Sequence, residues 1–320
     1  ATVVISVGGG NTKFIAIACI NIVVAANAGG AFSPFGDITT LMVWQKQIIS
    51  FTEFFALFIP SVVNWLVVAI ILNFGVPNVN PEPLEGRARL KHGAWVVVGL
   101  FLLTISMAVT GHNLLHLPPV AGMMTGLGFL KLFGFYLARR DERMSYMAKT
   151  MMTDTALTLD SKSAEKSMPI RPTYDIYRNL QRAEWDSLMF FYGIIMCVGG
   201  LSAFGYLAAG SEFIYGGLGP TTANVLVGIA SAIVDNIPVM FAVLEMNPEM
   251  SHGQWLLVTL TAGVGGSMLS IGSAAGVAVM GQARGIYTFF SHLKWAWAIV
   301  LGYAASIVTH MWLNASAFSV

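Results

Sequence analysis

Runs of apolar residues about as long as a bilayer is thick recur along this chain and dominate its other signals. A helix rising 1.5 Å per residue needs about 20 residues to cross a hydrocarbon layer of about 30 Å. Phe51 to Phe74, Ala94 to Thr110, Pro119 to Ala138, Trp185 to Leu207 and Trp295 to Leu313 all fit that length class. Only 10% of the 320 residues are charged, against about 25% in a typical soluble domain. With 56% hydrophobic residues and a mean hydropathy of +0.70, the surface has to face lipid. The net charge of +1 says little, because a membrane protein is read from where its charges lie, and no nucleic-acid partner is expected. The two cysteines, Cys19 and Cys197, lie in apolar runs and read as small core residues. The opening run ATVVISV is too short to span and does not begin with Met, which suggests that the natural protein starts earlier.

Other apolar runs are interrupted. Phe14 to Asn27 breaks at Gly29-Gly30 and is followed by a short apolar helix from Asp37 to about Trp44. Trp255 to Val264 breaks at Gly265-Gly266 and resumes from Ser273 to Gln282. Ala223 to Leu244 is interrupted by Asp235-Asn236-Ile237-Pro238. Nine of the 17 Lys and Arg residues fall in 139–182, which predicts a cytoplasmic polar loop there. Arg87, Arg89 and Lys91 fall on the same side two spans earlier. Arg284 and Lys294 join them if 219–247 is a re-entrant hairpin rather than a single span.

Two of the interrupted runs resemble each other. Residues 28–40 read AGGAFSPFGDITT and residues 264–276 read VGGSMLSIGSAAG, at a constant offset of 236 residues. Gly29-Gly30 match Gly265-Gly266, and Gly36 matches Gly272. The predicted orientation makes the first cross outward and the second inward, an inverted repeat of the kind that many secondary transporters use. Paired glycines and Pro34 release backbone from the helix. Such backbone is tolerated at membrane depth only where it is buried or lines a cavity, and there its carbonyls and helix ends can bind ions.

The polar residues at these breaks are hard oxygen donors. Asp37 follows the first break; it can cap the next helix, but an ionisable group at that depth points to function. Thr39 and Thr40 lie within a turn of it. Asp235 and Asn236 sit at the tip of the 219–247 hairpin, with Ser231 four residues earlier on the same helix face. Ser267 and Ser270 lie in the second break, Ser273 matches Asp37, and Asn27 closes the helix before the first break. Carboxylate, amide, hydroxyl and carbonyl oxygen suit Na⁺, Li⁺ or H⁺ rather than a soft metal, with Asp37 and Asp235 as direct Na⁺ ligands. A carboxylate in a low dielectric holds a proton to higher pH than in water, so proton and cation can compete for one group. No resident cofactor is expected; the ligands are the transported ions. No nucleophile–base pair supports an enzyme. The broken helices also fit a channel, but two inverted half-sites suit alternating access better.

The strings NAGGAFSPFGDITTLMVW (27–44), SAIVDNIPV (231–239) and GGSMLSIGSAAGVAVMG (265–281) closely resemble the NhaD-type sodium/proton antiporters of the ion transporter superfamily. The resemblance implies an all-α polytopic membrane protein of two inverted repeats, each with a re-entrant hairpin and a broken, Gly-kinked transmembrane helix. On that pattern 1–138 is the first repeat with its N-terminal part missing, 139–183 a cytoplasmic loop and 184–320 the second repeat. Asp235-Asn236 match the second hairpin tip; Ser270 and Ser273 match the second kink; Asn27, Asp37, Thr39 and Thr40 match the first. The implied activity is exchange of Na⁺ or Li⁺ for H⁺ across a bacterial inner membrane. An oxyanion or dicarboxylate carrier of the same superfamily is the alternative, which a carboxylate at Asp37 disfavours. The implied surroundings are a lipid bilayer, and a homodimer is compatible with the family.

Overall fold

The computed structural model describes residues 1–77, 93–156 and 185–319, and every regular element among them is helical. Among the described residues, five helices are long and apolar enough to cross a membrane: Thr12–Gly30, Glu53–Gly75, Ala94–Leu115, Pro119–Arg140 and Ala296–Leu313. A bent pair, Leu188–Ala203 with Tyr206–Gly216, makes a sixth if counted as one span. The chain is a polytopic α-helical membrane protein. Its lipid-compatible exterior is plain in side chains such as Phe74, Trp95 and Trp312, all more than three-quarters exposed.

The described residues of Arg87–Asp186 form one compact unit. It is a helical hairpin of α5 (Ala94–Leu115) and α6 (Pro119–Ala156), reversed through His116 at a φ of 53°. Gly122 and Gly126 let the two helices close: a Cβ at either would run into Ala108 or Thr104. The helix α6 continues well past Arg140, so 139–156, the first part of the expected polar loop, is helical. The rest of that loop, and Arg87, Arg89 and Lys91, lie outside the described residues.

The described residues of Ala1–Gly86 and Ser187–Val320 form the other unit. After a short α1 (Thr2–Val7), α2 (Thr12–Gly30) starts with the Asn11 side chain accepting from Phe14 N. It runs through the core, with Ile15, Cys19, Ile20, Val23 and Val24 almost wholly buried. A short α3 (Ile38–Gln45) follows, and then α4 (Phe58–Gly75), which packs along α14 (Ala296–Leu313). Gly302 of α14 makes that approach possible, because its Cα side abuts the Asn64 carbonyl and Val68.

Beyond α7 (Trp185–Ala203) the expected span to Leu207 does not run straight: the chain turns by 84° at Gly205, whose φ of 81° only glycine adopts freely. The short α8 (Tyr206–Ser211) follows. Cys19 is a core residue as expected, but Cys197 on α7 is exposed. Its apolar neighbours on α7, Leu188, Met189, Phe190 and Met196, are exposed too, so this apolar run presents lipid-facing rather than core residues.

Two helices, α9 (Pro220–Ile233) and α10 (Asn236–Met246), meet at Val234-Asp235. Pro220 opens the first turn of α9, where its missing N–H costs nothing, and Pro238 lies in the first turn of α10 for the same reason. The chain continues through α11 (His252–Gly265), α12 (Ala274–Gln282) and α13 (Phe289–Leu293) into α14. Nearly every residue of α11 is buried. Its first turn is tied to α9 by a closed amide network. Asn224 Nδ2 donates to the Gln254 carbonyl and Oε1, both at 3.0 Å, and Gln254 Nε2 donates to Thr221 Oγ1 at 2.7 Å.

Candidate functional site

The first interrupted helix breaks just after its glycine pair and the second within its pair. Gly30 is the last residue of α2 and Gly265 the last of α11. The non-helical stretches are therefore 31–37, which follows Gly29-Gly30, and 266–273, which begins at Gly266. The glycines serve the return of the chain. A Cβ on Gly30 would come within 3.1 Å of the Gly36 carbonyl oxygen, and one on Gly266 within 2.5 Å of the Gly272 carbonyl oxygen. Pairs with the same 236-residue offset thus make the same close backbone contact.

The next helices begin alike. Asp37 caps α3 with φ −143° and ψ 158°, and Ser273 caps α12 with φ −152° and ψ 150°. The Asp37 side chain accepts from Ile38 N at 2.7 Å, and the Ser273 hydroxyl accepts from Gly276 N at 3.4 Å. These are reciprocal solutions to one problem: the first amides of a helix have no partner within it.

Around Asp37 the site closes. Thr39 Oγ1 donates to Asp37 Oδ2 at 3.1 Å, and Asn236 Nδ2 donates to the same oxygen at 2.8 Å. Asn236 comes from the first turn of α10, so the tip of the α9–α10 pair and the first break share one carboxylate. Asp235 caps α10, accepting from Ile237 N at 3.0 Å. It is the chain neighbour of Asn236, which donates to Asp37. Both carboxylates are half-buried and sit at helix N-termini, whose dipoles favour negative charge. Among the described residues no cluster of three His, Cys, Asp or Glu could hold a metal, so any cation here would rest on mixed oxygens.

The remaining predicted residues divide by what they touch. Asn27 does not close its helix; it lies inside α2, and its Nδ2 donates to Ser273 Oγ at 2.9 Å, joining the two broken helices. Ser270 is fully buried, and its hydroxyl has no hydrogen-bond partner, which leaves its lone pairs available. Thr40 turns to the backbone: its hydroxyl reaches the Ser33 and Asp37 carbonyls, both at 2.8 Å, and holds the first stretch in shape. Ser231 donates to the Ala262 carbonyl at 2.8 Å and straps α9 to α11.

A family model described as "Citrate transporter" matches residues 1–263. A Na(+)/H(+) antiporter NhaD of Vibrio parahaemolyticus is 56% identical over 302 residues, covering 94% of this chain and 72% of that protein. The chain belongs to this family. An Na(+)/H(+) antiporter NhaD of Alkalimonas amylolytica is 55% identical over 318 residues, covering 99% of this chain and 65% of that protein. Sodium/proton antiporter 1 of Arabidopsis thaliana is 31% identical over 302 residues, covering 91% of this chain and 47% of that protein. The chain thus spans just under two thirds of the Alkalimonas protein's length. No solved structure matches it.

In this member of the NhaD family the sequence reading passed over two groups of buried polar residues. His292 bonds to Tyr287 and to the second non-helical stretch. Ser61 and Asn64, one turn apart on α4, are buried with no partner for their side-chain polar atoms. His292 is separated from the kink by some twenty residues of other structure, so no spacing rule links them. Ser61 and Asn64 are polar residues within an apolar span, and that interruption was the signal available for them.

Proposed function

We propose that this chain is the ion-handling core of a secondary antiporter exchanging Na⁺ or Li⁺ for H⁺ across a bacterial inner membrane. The observation that carries the reading is the pair of carboxylates, Asp37 and Asp235, each capping a helix N-terminus, with Asn236, the residue after Asp235, donating to Asp37. The names of the NhaD relatives support it.

The chemistry follows from the donors. Asp37 Oδ2 already takes hydrogens from Thr39 and Asn236, which fix the carboxylate's orientation. Two neighbouring carboxylates in a poorly solvated site repel until a cation or a proton relieves them. Na⁺ would be met by carboxylate oxygen, with the Thr39 and Ser270 hydroxyl oxygens as further donors of the hard type it prefers. A proton on the same carboxylate removes the charge that holds the cation. Each ion therefore displaces the other, which is sufficient for exchange once the site faces the two sides in turn.

The reading includes two inverted repeats, each with a broken helix, the second with α9–α10 as a re-entrant hairpin. The matched Gly30–Gly36 and Gly266–Gly272 contacts and the matched caps at Asp37 and Ser273 support it. The repeats are not identical at the site. The position matching Asp37 is Ser273, and the position matching Asn27 is Gly263, so the two halves contribute different groups to one centre.

The test is transport by the full-length protein in everted bacterial vesicles. Respiration acidifies the lumen, and a ΔpH-sensitive dye reports dissipation when Na⁺, Li⁺ or K⁺ is added. Na⁺ or Li⁺ should dissipate the gradient, and Asp37→Asn or Asp235→Asn should abolish the response. The family model's description favours a second reading, a citrate-type carboxylate carrier. A carboxylate at Asp37 would repel such a substrate. Citrate flux without cation-dependent proton movement in the same vesicles would decide for that reading.

A further inference from the structure

The geometry points to His292 as a positioning residue that holds the second non-helical stretch in its ion-binding shape, an assignment that rests on the exchange reading above. The imidazole is fully buried and bonded on both sides. Its Nε2 lies 2.9 Å from the Ser267 carbonyl oxygen, and its Nδ1 lies 2.6 Å from the Tyr287 hydroxyl. A carbonyl oxygen only accepts, so Nε2 carries the hydrogen. That leaves Nδ1 as a bare lone pair, to which the Tyr287 hydroxyl donates. The neutral ring is thereby fixed in one tautomer and one orientation.

Local structure explains why the ring stays there. The short α13 that carries it is fastened by a capping box, with Thr288 N bonded to Ser291 Oγ at 2.9 Å and Ser291 N to Thr288 Oγ1 at 3.3 Å. Tyr287, immediately before that cap, is itself almost completely buried. The ring and its hydroxyl partner are thus presented from a rigid corner of the chain.

Comparison of the two breaks shows what the clamp replaces. In the first, Thr40 reaches back from α3 and binds the Ser33 carbonyl. The matching residue in the second is Gly276, which has no hydroxyl, and any Cβ there would run into the Ser270 carbonyl. The second stretch therefore cannot be tied from its own following helix. Ser267 closes one turn by itself, its hydroxyl donating to the Val264 carbonyl at 2.6 Å. At its N-terminal end, the long-range side-chain restraint comes from His292. Ser270, with its unpartnered hydroxyl, and Ser273, bonded to Asn27, lie three and six residues further along the segment so held.

The test uses the full-length protein with His292→Phe, His292→Gln and Tyr287→Phe. Two quantities are read: the Na⁺ concentration that half-saturates dye recovery in everted vesicles, and amide hydrogen exchange over residues 266–273. Loss of the bond in His292→Phe should raise the half-saturating Na⁺ about tenfold, leave the maximal rate within about twofold, and speed exchange in that segment. Glutamine can offer its Nε2 hydrogen to the same carbonyl, so His292→Gln should recover both quantities. Tyr287→Phe should fall between. If His292→Phe does not accumulate in the membrane, Tyr287→Phe carries the test, with His292→Gln as the rescue control. Unchanged half-saturation or unchanged amide exchange in the clamp-breaking variant overturns the assignment, as does a His292→Gln variant no better than His292→Phe. Failure of the wild-type protein to move protons with any cation would defeat the exchange reading instead, while amide exchange would still judge the clamp.

Discussion

Asn236 Nδ2 donates to Asp37 Oδ2 at 2.8 Å, across 199 residues of chain. Lys46 Nζ meets Glu245 Oε1 at 3.0 Å across the same separation of 199. The two bonds tie α3 and α10 at both ends, so the helices run side by side in one direction with matched ends. That arrangement brings two helix N-termini and two carboxylates to one place. The inner bond belongs to the site; the outer one, between exposed side chains, only keeps register.

Removing the inner bond should therefore be felt in ion affinity. Asn236→Ala strips a charge-assisted hydrogen bond from Asp37, and the Na⁺ needed for half-maximal exchange should shift by about tenfold. Lys46→Ala removes an exposed ion pair, a kind of contact that contributes little, and should leave that value within about twofold. Na⁺ titrations of both variants in everted vesicles check the contrast. Equal effects would mean that register, rather than the carboxylate's bonding, sets the affinity.

The Asn27–Ser273 bond joins the two broken helices and should appear as energetic coupling. Asn27→Ala and Ser273→Ala each remove the same contact, so the double variant should be little worse than either single one. The expected non-additivity is of order 1 kcal/mol, measured as a double-mutant cycle on the Na⁺ response. Strictly additive losses would show that the two side chains act separately.

Much of this was legible because membrane burial writes long signals. The spans Phe51–Phe74, Ala94–Thr110 and Trp295–Leu313 were set by hydropathy, and the structure places helices on all three. The pairing of Asp37 with Asn236 was not legible, since nothing in local spacing encodes contact across 199 residues. Both were picked out separately, as polar residues that an apolar run can carry only for a reason. Thr40 shows the opposite limit. Its position beside Asp37 suggested an ion ligand, yet its hydroxyl serves the Ser33 carbonyl, a choice fixed by the loop's three-dimensional path. The bend at Gly205 was equally hidden, because a glycine within an apolar run reads the same whether helical or left-handed.

The glycines at the first break make different demands, and substitution should separate them. A Cβ on Gly36 would collide with the Gly30 carbonyl, whereas one on Gly29 meets nothing within 4 Å. Gly36→Ala should lower the thermal unfolding temperature of the purified full-length protein and reduce exchange. Gly29→Ala should do neither. Gly272 matches Gly36, and a Cβ there would meet the Ala232 and Ser231 carbonyls at 2.6 and 2.7 Å, so Gly272→Ala should behave like Gly36→Ala. Detergent-solubilised thermal scans of the three variants provide the comparison. A tolerated Gly36→Ala would rule out the close approach as a requirement of the fold.

Asn64 tests whether buried polarity in this fold always serves a purpose. It lies fully buried at the middle of the Glu53–Gly75 span, and neither its Nδ2 nor its Oδ1 has a partner. Its backbone carbonyl rests against Gly302 of α14, so the side chain belongs to the packed α4–α14 seam. An unsatisfied buried amide costs about 1–3 kcal/mol, and leucine has a similar volume without that cost. Asn64→Leu should raise the unfolding temperature and preserve Na⁺-dependent exchange, while Asn64→Asp should lower stability by burying a charge in the same place. A less stable Asn64→Leu variant would mean that the amide is satisfied by something other than protein, and loss of exchange with full stability would add Asn64 to the transport machinery.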